Sequence, residues 1–263
     1  MLLRTSKSDR EASPVVAIIG GLSRSGTSVL WRTCNRHPVV GMTYEFANFR
    51  GLGRRYWVYR RLLVRRWTEQ RFQEQEWLER SFRRAYLRRL RRYLGRSIDA
   101  QVLGSVLQSS FPGARVVGDK YPRYVFMLNE LTKDSHLKRV IIYRDCRDVT
   151  SSVLKQVRTQ WKGREFAREL STAEQVARRW RLAIEMMEEY RDHLFVIRYE
   201  DLVQNPKPVL QGLGEYLGVQ SSEFPIAHIR ADRIGNYRQG LSQDELSAVM
   251  TVAEPTMRRL GYV

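Results

Sequence analysis

The chain has 263 residues, of which 43% are apolar and 28% charged, with a formal net charge of +18. This apolar content is enough for a hydrophobic core and excludes a fully disordered chain. No stretch approaches the roughly 18 consecutive apolar residues of a membrane-spanning helix. Two cysteines are too few for a disulfide framework or a zinc site. The polar N-terminal tail at 1–14 lacks a signal-peptide core, so we expect a cytoplasmic protein. The high positive charge predicts affinity for anions.

Strands and helices alternate in the predicted order of elements. Short apolar runs predict buried strands at 15–19, 116–119, 137–143 and 194–199. Helices are predicted at 27–36, at 122–131, from about 148, from a capping box at Ser171 and Glu174 to about 192, and at 207–217. Such alternation is typical of an α/β fold in which helices cover both faces of a central parallel sheet.

Positive charge is concentrated between residues 54 and 96. This stretch has fifteen arginines, no lysine and four glutamates, and so accounts for +11 of the net charge. Apolar and aromatic residues recur in it at helical spacing, with arginine on the other faces. We predict one or two basic amphipathic helices here, inserted into a single domain that spans 15–263, and we call residues 54–96 the arginine-rich insertion.

A glycine-rich loop follows the first strand and leads into a helix. Gly21 and Gly26 have the spacing of a Walker A loop, which predicts a three-layer, P-loop-like fold, but Thr27 stands where the lysine of an NTPase should be. Positive charge lies within the loop instead, at Arg24. Backbone N–H groups and the positive helix end favour an anion at such a loop. An ordinary turn between strand and helix is the alternative.

Several segments, in order, resemble the signatures of the sulfotransferases that use 3′-phosphoadenosine 5′-phosphosulfate (PAPS). They are Arg24-Ser25-Gly26-Thr27-Ser28 with His37-Pro38, GDKYP at 118–122, LKRVIIYRDCRDVTSS at 137–152, VIRYEDL at 196–202 and the C-terminal stretch 241–262. The sequence is more similar to the carbohydrate and tyrosylprotein branch, with its bacterial members, than to the branch that modifies small phenols. Ser23 and Cys146 stand where the family usually has proline.

The resemblance implies a donor site at the carboxyl edge of the sheet. The 5′-phosphate and its sulfuryl group are expected on Arg24, Ser25, Gly26, Thr27 and Ser28. The 3′-phosphate is expected on Arg144 and Ser152, with the adenine beside Tyr199. For two of these a structural role is the alternative: Arg144 in an ion pair with a nearby aspartate, and Tyr199 in the core. PAP is the expected product, and no histidine spacing predicts a metal.

Sulfuryl transfer also needs a base for the acceptor's proton and a cation for the charge on the transferring group. By resemblance Glu45 is the candidate base and Lys120 the candidate cation, and Arg24 is expected to share the work of Lys120. A surface loop position is the alternative for Glu45. A salt bridge to Asp119 is the alternative for Lys120.

The sequence therefore predicts a sulfotransferase that acts on a hydroxyl or amine of a small-molecule, glycan or lipid acceptor. A P-loop kinase of small molecules is disfavoured by the missing lysine. A basic nucleic-acid-binding protein is disfavoured because the insertion interleaves its arginines with apolar residues at core spacing and no nucleic-acid motif accompanies it. The insertion is expected to bind a negatively charged acceptor or to lie on an anionic inner membrane surface, and a merely solvated helix face is the alternative.

Overall fold

The structure is a computed structural model that describes residues 13–69 and 76–263. Most of the predicted N-terminal tail lies outside these residues. The centre of the fold is a five-stranded parallel sheet in the order β2-β3-β1-β4-β5. Its strands are β1 (Val15–Gly20), β2 (Val40–Tyr44), β3 (Val116–Lys120), β4 (Leu137–Tyr143) and β5 (Phe195–Arg198).

Helices cover both faces of this sheet. In chain order they are α1 (Thr27–Asn35), α2 (Tyr56–Glu69), α3 (Glu76–Leu90), α4 (Ala100–Gln108), α5 (Leu128–Leu131), α6 (Cys146–Arg158), α7 (Glu165–Arg168), α8 (Ala173–Glu189), α9 (Tyr199–Gln204), α10 (Pro206–Leu217), α11 (Tyr237–Gly240) and α12 (Gln243–Arg259). None of the helices within the described residues is both long and apolar enough to cross a membrane.

Side chains from alternate residues of β1 enter different hydrophobic clusters. Val16 and Ile18 pack in one cluster, and Ala17 and Ile19 pack in the other. A strand buried on both faces reads as a continuous apolar run, which is why β1 was recognisable in the sequence. The prediction of a three-layer α/β fold with a central parallel sheet is confirmed.

Some element boundaries differ from the sequence predictions. Strand β2 and helix α4 were not predicted. In β2, Gly41 and Thr43 interrupt the apolar run. The segment after β3 begins as a 3₁₀ turn at Pro122–Met127 before the short helix α5. The capping box of α8 is formed by Thr172 and Gln175, one residue later than predicted.

Helices α2 and α3 occupy most of the arginine-rich insertion. Their inner faces contribute five fully or nearly fully buried side chains to the cluster that holds Val16 and Ile18, namely Tyr59, Leu63, Trp67, Tyr86 and Leu90. These helices therefore cover one face of the sheet. The extent of the insertion as a unit of the domain stays a prediction.

Because all five strands are parallel, their carboxyl ends meet at one edge of the sheet. The glycine loop follows β1 there, and Glu45 follows β2. Lys120 is the last residue of β3, Arg144 follows β4, and Tyr199 follows β5. The fold thus brings every predicted site segment to a single edge.

Candidate active site

The glycine loop has a backbone that requires glycine at two positions. Gly21 has φ +147°, and a Cβ there would lie 2.2 Å from the carbonyl oxygen of Ile142. Gly26 has φ +97°, and a Cβ there would lie 2.4 Å from a ring carbon of Tyr199. The loop is therefore packed tightly against β4 and α9. Helix α1 begins at Thr27, so the loop ends at the positive end of a helix whose first N–H groups have no partner within the helix.

Two hydroxyl groups of this loop have different surroundings. Ser25 is 1% exposed, and its Oγ has no hydrogen-bond partner. Ser28 Oγ lies 3.1 Å from the hydroxyl of Tyr44, a distance at which either group can donate. Leaving a buried hydroxyl unpaired costs free energy, so the Ser25 hydroxyl fits a ligand oxygen at the loop.

Arg144 stands at the carboxyl end of β4 and is 5% exposed. One of its terminal nitrogens donates to Asp148 Oδ2 at 3.0 Å and to the backbone carbonyl of Arg233. Its Nε is buried without a partner. The ion pair with an aspartate, the alternative considered for Arg144, is thus present, yet it leaves part of the guanidinium available to an anion.

Arg24, Arg144 and Arg233 form a cluster of positive charge beside the loop. Arg24 has a left-handed backbone, with φ +74°, and its Nε donates to Ser152 Oγ at 2.9 Å. Burial lowers the pKa of Arg24, and the charges of Arg233 and Arg144 lower it further. The glycine loop and the Arg144–Ser152 segment, which were predicted to bind different phosphates, therefore meet in one site. Three guanidinium groups in such proximity favour a bound anion.

Asp148 fixes the C-terminal side of this cluster. Its two carboxylate oxygens accept hydrogen bonds from the backbone N–H groups of Gly235 at 2.9 Å and Tyr237 at 3.0 Å. Because Asp148 also pairs with Arg144, a single buried carboxylate holds both the arginine and the loop that carries Arg233. Burial of this kind makes the arrangement rigid before any ligand binds.

Tyr199 lies between the glycine loop and Arg144. It is 3% exposed, and the guanidinium carbon of Arg144 lies 4.5 Å from its ring centre. This contact orients Arg144 through a cation–π interaction. The core position considered for Tyr199 is present, and its expected place beside an adenine stays a prediction.

Glu45 and Lys120 form an ion pair at the carboxyl ends of β2 and β3. Lys120 is fully buried, and its Nζ donates to Glu45 Oε1 at 2.5 Å. The same ammonium lies 3.4 Å from the ring centre of Tyr44. The salt bridge from Lys120 to Asp119 that we considered is wrong, because consecutive residues of a strand point to opposite faces of the sheet.

The loop that carries Glu45 is held by Asp119. Glu45 and Ala47 both have left-handed backbones, with φ +57° and +55°, a conformation that costs a non-glycine residue about 1 kcal/mol or more. The fully buried carboxylate of Asp119 accepts hydrogen bonds from the N–H groups of Phe46 and Asn48, each at 3.3 Å. These bonds offset the strain and fix the position of Glu45.

Asp119 is itself surrounded by hydroxyl donors. Thr43 Oγ1 and the Tyr124 hydroxyl each donate to its carboxylate at 2.6 Å. Burial raises the pKa of Asp119, and the hydrogen bonds from Thr43 and Tyr124 act in the opposite direction. A buried carboxylate with four donors is a strong positional constraint, because removing it would leave those donors unpaired.

The arginine-rich insertion contacts the same loop from outside. Trp67 Nε1 donates to the carbonyl of Phe46 at 3.1 Å, and the Tyr59 hydroxyl donates to the carbonyl of Asn48. Both aromatic residues belong to α2. The inner face of the insertion therefore helps to position the glutamate, a role that helical spacing alone did not reveal.

Three residues with clear roles in this geometry were missed in the sequence. Tyr44 contacts the Lys120 ammonium, and its position beside Glu45 was the available signal. Asp119 was considered only as a partner of Lys120. Arg233 has no sequence signal of this kind, because it lies 89 residues after Arg144 in an irregular loop. Within the described residues, no group of three His, Cys, Asp or Glu side chains is arranged to hold a metal ion.

The arginine cluster predicts a specific effect of removing Arg233, whose side chain is exposed. Without an anion, Arg233→Gln should leave the free energy of unfolding within about 0.5 kcal/mol of the wild-type value, since a surface charge is lost and repulsion is relieved. Affinity for inorganic sulfate should fall about tenfold, because a charge-assisted contact is removed. The measurement is the rise in Tm with sulfate, relative to chloride at matched ionic strength.

Arg230→Gln is the matched control, since Arg230 is exposed in the same loop and is not among the charges that act on Arg24. Equal sulfate responses in the two variants would show that the three arginines do not form an anion site.

Comparison with known proteins gives the family. A model of the sulfotransferase family matches residues 14–223. No curated protein matches the chain by sequence.

Solved structures show the same fold at low identity. The sulfotransferase domain from the curacin biosynthetic pathway has 17% identity and a TM-score of 0.60, over 96% of this chain and 99% of that chain. The sulfotransferase domain of the Synechococcus PCC 7002 olefin synthase has 16% identity and a TM-score of 0.57, over 95% and 98%. Mouse sulfotransferase SULT7A1 complexed with PAP has 13% identity and a TM-score of 0.51, over 94% and 85%. Since the family model covers well over half of its length, the chain belongs to the sulfotransferase family.

Proposed function

We propose that the protein transfers a sulfuryl group from PAPS to a hydroxyl or amine of an acceptor. The observation that carries this proposal is the convergence of Arg24, Arg144 and Arg233 beside a glycine loop. PAPS carries phosphate groups at both ends of its ribose, and the site offers cations from three separate segments of the chain. The mouse relative complexed with PAP adds support by analogy.

The donor fits the unpaired polar atoms of the site. Ser25 Oγ and Arg144 Nε are both buried without a partner, and each can bind a phosphate oxygen. We assign the 5′-phosphate and sulfuryl group to the loop from Arg24 to Ser28. The 3′-phosphate is assigned to Arg144 and Ser152. Adenine would then lie on the Tyr199 side of Arg144.

A P-loop kinase remains the second candidate among enzymes, and the loop argues against it. Thr27 replaces the lysine that contacts the β- and γ-phosphates of ATP. The nearest cation of the loop is Arg24, which points to Ser152. The site therefore suits a nucleotide with a 3′-phosphate better than a triphosphate.

Acceptor activation is assigned to Glu45. Lys120 donates to Oε1, and none of the described residues donates to Oε2. The Glu45 side chain is 29% exposed, so an acceptor can reach it. The Oε2 atom is placed to take the proton of the acceptor as its oxygen or nitrogen bonds to sulfur, while the sulfur–oxygen bond to PAP breaks.

Lys120 and Arg24 supply the positive charge for this step. The Lys120 ammonium is held between the Glu45 carboxylate and the Tyr44 ring, so it is oriented before a ligand arrives. Tyr44 also contacts Ser28, which connects this catalytic pair to the donor loop. Preorganised cations of this kind stabilise charge that develops on the leaving phosphate.

The acceptor is proposed only as a class: a small molecule, a glycan or a lipid with a hydroxyl or amine. Two of the structural relatives come from a biosynthetic pathway and from an olefin synthase, which supports a metabolite by analogy. We propose a cytoplasmic location. No metal is assigned a role in the reaction.

Binding of PAP tests the donor assignment directly. At a PAP concentration one hundred times Kd, the free energy of unfolding should rise by about 2.7 kcal/mol. For a chain of this size we expect an increase in Tm of roughly 5 to 10 °C. Mg-ATP at the same concentration should produce a much smaller increase. Stabilisation by Mg-ATP without a response to PAP would support the kinase instead.

Substitution of the proposed base tests the chemistry. Glu45→Gln keeps an oxygen that can accept from Lys120 but cannot take the proton, so kcat should fall by about 10² to 10⁴. The Kd of PAP should stay within about threefold of the wild-type value, since Glu45 is assigned to the acceptor side. Transfer of ³⁵S from labelled PAPS to a mixture of lysate lipids, glycans and metabolites provides the measurement.

Glu130→Gln is a suitable control for this variant, because Glu130 is an exposed glutamate of α5 outside the site. Retention of wild-type turnover by Glu45→Gln would remove Glu45 from the mechanism while leaving the donor site intact.

A further inference from the structure

The two ends of the arginine-rich insertion lie side by side. The N–H of Tyr56 donates to the carbonyl of Arg96 at 3.1 Å, and the N–H of Ile98 donates to the carbonyl of Arg54 at 2.9 Å. Arg55 and Ser97 form an antiparallel bridge between these bonds. The start of α2 and the segment 91–97 therefore form one continuous surface.

This surface combines cations with exposed apolar side chains. The exposed arginines are Arg54, Arg55, Arg60, Arg61, Arg91, Arg92 and Arg96. Trp57, Val58 and Leu94 lie among them in the chain and are 65%, 50% and 43% exposed. We call these ten residues the basic patch. The segments 50–68 and 80–98 contain no aspartate or glutamate, and the four glutamates of the insertion all fall between them.

Cations of the basic patch differ from the exposed arginines of α8. On α8, Arg178 pairs with Glu174 and Arg181 pairs with Glu185. Within the described part of the chain, none of the seven patch arginines takes part in an ion pair. No carboxylate in the described part of the chain therefore pairs with them, and they surround apolar side chains that gain nothing from exposure to water.

We propose that the basic patch docks on the surface of a lipid bilayer that contains anionic lipids. Guanidinium groups bind lipid phosphates in a bidentate manner, and several cations act together near an anionic surface. Tryptophan side chains such as Trp57 favour the region between lipid headgroups and acyl chains, and the apolar side chains of Val58 and Leu94 can insert into the same region. Charge and apolar area thus favour the same partner.

The combination of side chains separates this partner from other polyanions. A nucleic acid can pair with the arginines and can stack on Trp57, but its backbone offers no apolar contact for Val58 or Leu94. A second copy of the chain is disfavoured, because two patches with seven arginines each repel each other.

Docking has a consequence for the active site, and this step alone rests on the proposed function. Tyr59 bonds to the loop that carries Glu45, while Trp57 and Arg61, two residues to either side and so about 160° away around the helix, belong to the basic patch. The loop and the patch therefore lie on opposite faces of one helical turn, separated by on the order of 10 Å, the diameter of a helix. A docked protein would hold its acceptor side close to the bilayer, where a lipid or lipid-linked acceptor is available.

Flotation with lipid vesicles tests the docking without any sulfuryl transfer. The full-length protein should float with vesicles of phosphatidylcholine that contain phosphatidylglycerol, and it should not float with phosphatidylcholine alone. A variant with Arg61→Gln, Arg92→Gln and Trp57→Ser should bind the anionic vesicles at least about tenfold more weakly, since each patch arginine contributes to surface attraction. Its Tm and its affinity for PAP should equal those of the wild type.

The matched control changes the same number of exposed residues on α8: Arg178→Gln, Arg181→Gln and Leu182→Ser. Leu182 is 45% exposed, and both arginines are ion-paired, so vesicle binding should be unchanged. Brominated lipid in the anionic vesicles should quench tryptophan fluorescence, and Trp57→Phe should remove most of that quenching.

Three results would overturn the proposal. The first is that the wild type does not float with anionic vesicles. The second is that the patch variant and the control variant lose vesicle binding equally. The third is that the patch binds duplex DNA and does not bind vesicles. Because vesicle binding and PAP binding are measured separately, a failure of docking leaves the proposed transferase activity untouched, and the reverse also holds.

Discussion

The buried carboxylate of Asp119 is the interaction on which the acceptor side depends. It accepts hydrogen bonds from two backbone N–H groups of the loop after β2 and from two hydroxyl groups. Those bonds keep Glu45 in a left-handed conformation that its own side chain disfavours. Lys120, the next residue in the strand, then meets Glu45 from the opposite face of the sheet. One strand end thus supplies both the support for the proposed base and the cation beside it.

Strain and charge accumulate at the same edge of the sheet. Among the residues that the structure describes, three non-glycine residues have positive φ, namely Arg24, Glu45 and Ala47, and all lie in loops of the candidate site. Burial lowers the pKa of Arg24, and the two guanidinium groups nearby lower it further. Such an arrangement costs stability in the free protein and lowers the cost of reorganisation when an anion binds. Asp148 and Asp119, one on each side of the site, are the carboxylates that hold it in place.

Much of the fold was predictable from the sequence, because buried parallel strands read as apolar runs and glycine loops have fixed spacing. Strand β2 was missed since Gly41 and Thr43 break its apolar pattern, although it carries Glu45 at its end. The salt bridge to Asp119 was only the alternative for Lys120, and the alternation of side chains along a strand already argues against it, because it places these neighbours on opposite faces. Arg233 was beyond prediction, because only the tertiary fold brings an irregular C-terminal loop to the end of β4. The amphipathic character of the insertion was predictable from its helical spacing. The contact of its inner face with the Glu45 loop was not, because it is made by two hydrogen bonds that hydrophobic periodicity does not reveal.

The central claim is that the edge of the sheet recognises a nucleotide by its 3′-phosphate. Calorimetric titration with PAP and with AMP tests it most directly, because the two ligands differ only in that phosphate. We predict that the wild type binds PAP at least about tenfold more tightly than AMP, since Arg144 offers a charge-assisted contact. Arg144→Gln should reduce this preference to near unity. Equal affinity of the wild type for PAP and AMP, or a preference that survives Arg144→Gln, would contradict the account.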